Sequence, residues 1–112
     1  AVAQFNLGVS YSQGQGVPQD YAEAARWYRN AAEQGIAEAQ GSLGMMYSLG
    51  YGVPKDYVEA YAWANISAAQ GYEKARKIRS LITEELSPSD LTKAQERSRE
   101  YYKLYVPNAV EN

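Results

Sequence analysis

The chain has 112 residues, a length typical of one domain, with 46% hydrophobic residues, 11 basic and 13 acidic side chains, and no His or Cys. Without imidazole or thiol groups, the common zinc sites, haem ligation, Ser-His triads, thiol nucleophiles and disulfides are excluded, and we expect neither a metal nor a cofactor. A net charge of −2 also argues against nucleic-acid or membrane-surface binding, because no excess of positive charge can neutralise phosphates.

No run of the sequence approaches the roughly 18 to 20 apolar residues that span a bilayer, so we expect no membrane insertion. The first residues lack the basic and apolar segments of a secretion signal. The chain begins at Ala1 rather than Met, which indicates either a processed protein or a piece of a longer one. The cell compartment therefore stays open.

An internal repeat organises the sequence. A shift of 36 residues aligns residues 3–39 with residues 39–75, and 19 of the 37 pairs are identical. Eight of the nine glycines and both tryptophans keep this period, which compositional bias would not produce. The positions that we assign to the repeat scaffold are Leu7, Gly8, Tyr11, Gly14, Gly16, Asp20 and Trp27 in the first copy, and Leu43, Gly44, Tyr47, Gly50, Gly52, Asp56 and Trp63 in the second.

The first half of each copy predicts a helix and a turn. Ala3, Leu7 and Tyr11 recur every four residues and so line one helical face, which we expect to pack in the core. Gly14 closes this helix, and Gly16 to Pro18 form the turn that follows it. A glycine inside a helix, at Gly8 and again at Gly44, costs about 1 kcal/mol relative to alanine, which suggests a close contact that offsets the cost.

The second half of each copy predicts a second helix. Asp20 is expected to cap its start, with Glu23 three residues later in a capping-box arrangement, as Asp56 and Glu59 repeat. Trp27 lies on its buried face, and Gly35 ends it. We interpret the repeated tryptophans and tyrosines, Trp27, Trp63, Tyr11 and Tyr47, as core residues rather than as a ligand cage.

The pattern weakens after Ala75, as expected of a terminal unit that faces water. A helical stripe continues to Leu86, Ser87 and Pro88 begin another helix, and that helix stops before Pro107. We therefore expect a single repeat domain over residues 1–112, with unit one at 1–36, unit two at 37–72, a degenerate capping helix pair at 73–106 and a short tail at 107–112.

The pattern AxxxLGxxYxxGxGVxxDxxxAxxW, with a closing Gly, stands at residues 3–35 and again at 39–71. It resembles the Sel-one-like repeat, a longer relative of the tetratricopeptide repeat, whose period is 34. The stretch from Leu86 to Tyr101 resembles the terminal capping helix common in bacterial members. The resemblance implies an all-α fold, a right-handed α-solenoid of about three antiparallel helix pairs, whose concave face holds a protein or peptide partner without catalysis.

Residues that differ between the two copies are the better candidates for partner binding, because stacking does not require them. On the first helix of each unit these are Phe5, Asn6 and Val9, and Ser42 and Met45; they either pack on the adjacent unit or form an exposed groove. Tyr51 and Tyr72, near helix ends and outside the repeat pattern, complete the predicted concave site, since tyrosine is enriched at interfaces.

Three alternatives stay open at this stage. The first is a hydrolase related to the β-lactam-handling branch of the same family, which the absence of Cys disfavours because each unit of that branch carries a disulfide. The second is a structural fragment whose missing units matter more than the part present. The third is self-association through an uncapped N-terminal end formed by Val2, Phe5 and Val9.

Overall fold

The computed structural model describes residues 1–107, and the predicted tail lies outside the described residues from 108 onwards. This part of the chain folds into six helices and contains no strand. The all-α solenoid predicted from the repeat is confirmed. The helices are α1 (Val2–Gln13), α2 (Tyr21–Glu33), α3 (Ala37–Leu49), α4 (Tyr57–Ala69), α5 (Glu73–Glu85) and α6 (Pro88–Tyr105).

The helix boundaries follow the local signals in the sequence. Gly14 and Gly50 end α1 and α3 in the left-handed conformation, with φ of 69° and 72°. The Asp20 and Asp56 carboxylates accept hydrogen bonds from the first turns of α2 and α4. Ser87 does the same for α6, which ends before Pro107 as predicted.

The capping boxes expected at Asp20 and Asp56 are only half formed. The backbone N–H of Asp20 donates to the Tyr11 carbonyl, and that of Asp56 to the Tyr47 carbonyl, so neither needs a glutamate side chain. Glu59 accepts a hydrogen bond from Tyr101 of α6 instead. The backbone of the preceding helix therefore replaces the second half of each box.

The helices stack so that α3 lies between α2 and α4, and α4 also contacts α5 and α6. The core at the first of these contacts consists mainly of small side chains around Leu43, Trp63 and Ile66. A second cluster joins Ala60 and Ala64 of α4 to Ile82 of α5 and Ala94 of α6. The scaffold alanines are buried in both clusters, as close helix packing requires.

The helical glycines Gly8 and Gly44 lie where two helices approach closely. A Cβ on Gly8 would lie 2.7 Å from the Tyr28 ring, and one on Gly44 would lie 3.1 Å from the Ala60 carbonyl oxygen and the Ala64 nitrogen. No ordinary side chain fits at Gly8 without moving its neighbour. This contact offsets the cost of a glycine inside a helix.

The last helix, α6, packs along α4 and covers Trp63. The Trp63 ring lies 4.8 Å from the Tyr101 ring and 5.3 Å from the Tyr105 ring, measured between centroids. Its indole N–H is buried without a hydrogen-bond partner among residues 1–107, so this ring serves packing rather than polar contact. Burial of such large rings is a major part of the stability of a small domain.

Unit one is less covered than unit two at equivalent positions. Leu43 is fully buried, whereas Leu7 is 39% exposed, and Trp63 is fully buried whereas Trp27 is only partly buried. The expected core face of α1 is therefore open at Leu7. The reason is that, within residues 1–107, no helix lies over α1 as α2 lies over α3.

Two glutamine pairs join the start of the first helix to the end of the second in each unit. Gln34 donates to Gln4 in unit one, and Gln70 donates to Gln40 in unit two. The fully buried Gln40 amide also donates to the carbonyls of Ala32 and, from α6, of Tyr105. These bonds tie three helices together and satisfy a polar group that would otherwise be costly to bury.

No helix within residues 1–107 combines the length and apolar character needed to cross a bilayer.

We predict that the two tryptophans differ in their contribution to stability. Trp63→Ala should lower the free energy of unfolding by about 3 to 5 kcal/mol, the usual cost of removing a large buried ring. Trp27→Ala should cost clearly less, because Trp27 is only partly buried. Urea denaturation followed by circular dichroism measures both, and equal losses would contradict the assignment of Trp63 to the covered core.

A second matched pair tests the contact between units. Gly16 and Gly52 have similar left-handed φ values of 78° and 74°, so alanine at either position costs about 1 to 2 kcal/mol in backbone strain. A Cβ on Gly52 would also lie 2.2 Å from the Tyr21 carbonyl oxygen, whereas one on Gly16 meets nothing within 4 Å.

Gly52→Ala should therefore destabilise the protein by about 1 to 3 kcal/mol more than Gly16→Ala. The same denaturation measurement applies. Equal losses would show that the turn of unit two does not press on α2.

Candidate interaction surface

An open groove runs over α3 on the side of the solenoid that faces α5. It consists of two adjoining cavities of about 290 and 330 Å³, which share Met45, Leu49 and Ile78 in their linings. We call this surface the α3 groove. Its size is typical of sites that take a few large side chains of a ligand.

The α3 groove is apolar and exposed. Met45 is 45% exposed and Leu49 is 50% exposed, and Leu81 of α5 protrudes further still. Both methionines of the chain, Met45 and Met46, line the groove. A contiguous apolar surface of this kind marks an interaction site more often than isolated exposed side chains do.

Two tyrosines form a wall at one end of the α3 groove. The Tyr51 ring, from the turn between α3 and α4, stacks on the Tyr21 ring with centroids 4.9 Å apart and an angle of 24° between the planes. The neighbouring Gly52 holds that turn against the Tyr21 backbone. The turn between units thus fixes the position of an aromatic wall.

A third tyrosine, Tyr72, covers the start of α3. A Cβ on Gly41 would lie 2.8 Å from the Tyr72 ring, so the absence of a side chain at Gly41 makes room for the ring. Burial raises the pKa of the Tyr72 hydroxyl above its ordinary value, and the Glu38 carboxylate adds to this effect. A tyrosine hydroxyl is protonated at neutral pH even without this shift, so the Tyr72 hydroxyl can donate a hydrogen bond there.

The structure brings together four of the seven residues predicted to bind a partner. Ser42, Met45, Tyr51 and Tyr72 all line the first cavity of the α3 groove. Phe5 and Val9 pack instead against the core, with the Phe5 ring 5.7 Å from the Tyr28 ring. Asn6 is exposed on α1 and does not line the groove.

Sequence reasoning missed several residues of the α3 groove, notably Leu49, Ile78 and Leu81. Leu49 follows Met45 by one helical turn and occupies the position of Gln13 in unit one. This difference between the copies was the signal that could have identified Leu49 as a candidate. Ile78 and Leu81 of α5 carry no such signal, because the capping helix pair has no close copy in the sequence. The partly buried Ile78 and the exposed Leu81 are brought to the groove by the packing of α5.

The charges of the α3 groove lie at its two ends. Lys74 lines one end, and Glu84 and Glu85 line the other. None of the three forms an ion pair with another group in residues 1–107. The middle of the groove, around Met45 and Leu49, contains no charged side chain.

A polar cluster lies beneath α6. Glu59 of α4 accepts a hydrogen bond from Tyr101, and Arg97 lies 3.6 Å from the same carboxylate oxygen. Nearby, Arg29 donates to the Tyr47 hydroxyl and lies over the Trp63 ring at 5.9 Å. These groups satisfy one another and hold α6 on α4, so the arrangement is structural.

Residues 1–107 contain no cluster of three or more acidic side chains that could hold a metal ion.

Comparisons with known proteins identify the repeat. The Sel1 repeat family model matches the chain twice, over residues 1–36 and 37–72. The crystal structure of c5321, a protective antigen present in uropathogenic Escherichia coli strains displaying an SLR fold, is similar with 40% sequence identity and a TM-score of 0.92, over 96% of this chain and 23% of that chain.

A second solved structure is also similar. The Sel1 repeat protein from Oxalobacter formigenes matches with 45% identity and a TM-score of 0.67, over 68% of this chain and 22% of that chain. This chain therefore spans less than a quarter of the length of each of these two proteins. The comparison with curated proteins gave no match.

The contact between Tyr101 and Glu59 generates a prediction about pH. Burial raises the pKa of the Tyr101 hydroxyl well above its ordinary value of 10.0, and the hydrogen bond to Glu59 and its negative charge add to the rise. Above about pH 10 the unfolded chain loses this proton while the folded chain retains it, so the free energy of unfolding falls as the pH rises. Wild-type stability should therefore decline with pH in this range.

Tyr101→Phe should show a shallower decline above pH 10, although it is less stable at neutral pH by about 1 to 3 kcal/mol because Glu59 loses a donor. Tyr102→Phe, which removes an exposed neighbouring tyrosine, is the matched control. Urea titrations across the alkaline range measure both slopes. Identical slopes for Tyr101→Phe and the wild type would refute the raised pKa.

Proposed function

Because the chain belongs to the Sel1 repeat family, whose helical repeats typically mediate protein interactions, we propose that it binds an apolar segment of a partner protein in the α3 groove. The observation that carries this proposal is the continuous exposed apolar surface around Met45 and Leu49. Residues of α3 and α5, the first helices of their pairs, supply much of the groove lining, which supports a partner on this side of the solenoid. The rigid stack supplies the shape, and the partner supplies the side chains that fill it.

The distribution of differences between the repeats supports this proposal. Met45, Leu49 and Tyr51 stand where unit one has Val9, Gln13 and Gln15. Two of the three changes replace an amide by a large hydrophobic group, and all three residues remain exposed in the structure. Stacking does not need such side chains, so binding is the better explanation for them.

The proposal includes no chemical step, and we propose that the chain is not an enzyme. The carboxylates of the α3 groove, Glu84 and Glu85, are adjacent on α5 and point in different directions around the helix, which does not suit paired acid and base catalysis. The β-lactam hydrolase alternative has no further support from the groove, whose remaining lining, apart from Lys74 at one end, is apolar or hydroxyl-bearing.

Self-association through the N-terminal end stays a prediction. Val2 is exposed there, but Phe5 and Val9 pack against the core. The exposed apolar residue beside Val2 is Leu7. A second copy that covered Leu7 would bury it as α2 and its neighbours bury Leu43.

A selection with a random displayed-peptide library tests the α3 groove directly. Peptides retained by the wild-type chain should bind the Leu49→Glu variant at least about tenfold more weakly, a difference of about 1.4 kcal/mol, because a carboxylate in the groove must lose water on binding. Fluorescence anisotropy with the recovered peptides measures the affinities.

Leu104→Glu is the matched control, since Leu104 is an exposed leucine on α6, more accessible than Leu49, that does not line the groove. Both variants should melt near the wild-type temperature, because neither leucine is buried. If the recovered peptides bind Leu49→Glu and the wild type with the same affinity, the α3 groove is not the binding site.

A further inference from the structure

We infer that the segment bound in the α3 groove is an amphipathic α-helix with basic residues at the end that lies beside Glu84 and Glu85. This inference rests on the proposed function and adds the conformation, charge and orientation of the partner. Four features of the groove carry it: its few free hydrogen-bonding groups, its length, its methionines and its charged ends.

The α3 groove offers few partners for the backbone of an extended peptide. Its floor is the surface of helices, whose own backbone groups are bonded internally, and residues 1–107 contain no strand edge that an extended segment could join. The Ser48 hydroxyl donates to the Met45 carbonyl, and the Ser12 hydroxyl donates to the Val9 carbonyl. Among the described residues no Asn or Gln side chain lines the groove, and the hydroxyls of Ser42, Tyr51 and Tyr72, which could meet a peptide backbone, line the first cavity and not the second.

An extended peptide would therefore bury backbone N–H and C=O groups without partners, at about 1 to 3 kcal/mol for each group. A helix satisfies its backbone internally and presents only side chains to the groove. The chemistry of the lining thus favours a helical occupant over an extended one.

The length of the groove matches a short helix. It follows α5 from Lys74 to Glu85, which corresponds to about 16 Å at the rise of an α-helix. About three turns of a bound helix cover this distance, enough for anchors at positions i, i+4 and i+7. The two cavities that meet at Met45 and Leu49 would take successive anchors.

The methionines suit a helical ligand with aliphatic anchors. Thioether side chains have three rotatable bonds and adapt to the shape of leucine, methionine or phenylalanine side chains. Met45 and Met46 both belong to unit two and have no counterpart in unit one, where Val9 and Ser10 stand. An adaptable floor of this kind is characteristic of grooves that bind amphipathic helices.

The charges set the orientation. Glu84 and Glu85 are exposed at the end of α5, where the carbonyl groups of the last turn add negative potential. Lys55 lies 5.0 Å from the centre of the Tyr57 ring and forms no ion pair with either glutamate among the described residues. Lys74 stands at the opposite end. A helix with Lys or Arg at one end and an acidic residue at the other complements both ends.

The first arm of the test reads the sequences of the peptides recovered from the displayed library. We expect apolar residues at helical spacing and an excess of Lys or Arg at one end. A synthetic consensus peptide should gain helical circular dichroism on binding, and a version with one central residue replaced by proline should bind at least about tenfold more weakly.

The second arm exchanges charges on both partners. The double variant Glu84→Lys with Glu85→Lys should bind the consensus peptide about tenfold more weakly and should prefer a peptide in which the basic residues are replaced by glutamate. Lysine at the end of α5 is compatible with the helix dipole, so folding is preserved. The control, Glu96→Lys with Glu100→Lys, changes the net charge equally at exposed sites on α6 and should bind like the wild type.

The outcomes separate this inference from the proposed function. Recovered peptides with apolar residues at every second position, or a proline version that binds equally well, would overturn the helical occupant and leave the groove as an apolar binding site. An unchanged affinity of the Glu84 and Glu85 variant would overturn the orientation. Peptides insensitive to Leu49→Glu, or no enrichment over empty beads, would overturn the proposed function and this inference with it.

Discussion

The close approach of helix backbones at small residues is the constraint on which the rest of the structure depends. At Gly44 the backbone of α4 lies so near that an added Cβ would be 3.1 Å from the Ala60 carbonyl oxygen. Helices that approach this closely leave narrow spaces between them, and large rings such as Trp63 fill the spaces that remain. The repeat keeps its glycines and alanines because any larger side chain would separate the helices and open those spaces.

The same constraint shapes the α3 groove. Gly52 allows the turn of unit two to lie directly on the Tyr21 backbone, and this contact places Tyr51 on the Tyr21 ring. At the other end, Gly41 accommodates the Tyr72 ring. The aromatic walls of the α3 groove are thus held by backbone contacts of the scaffold, so the proposed binding site would need little ordering to receive a partner.

Features that repeat along the chain or depend on neighbouring residues could be predicted from the sequence. Contacts between distant residues that do not repeat could not. The period, the helix caps and the solenoid follow from short-range chemistry in residues such as Gly14 and Asp20. The contact between the Tyr101 and Trp63 rings joins residues far apart in the chain, and no second copy marks the pair. Repeat positions can also differ in burial. The pattern predicts the same environment for Leu7 and Leu43, but only Leu43 is buried by a helix packed over it.

Repetition also explains how an exposed apolar groove can arise on this scaffold at little cost in stability. Residues that hold the stacked helices together, such as the buried Trp63 and the helical Gly44, leave little room for a change of size. Met45 and Leu49 lie one turn apart on α3 and are 45% and 50% exposed, so neither is enclosed between helices. Hydrophobic groups can therefore accumulate there without repacking the core. In unit one the corresponding Val9 packs against the core, so the same position of the repeat is partly buried in one copy and exposed in the next.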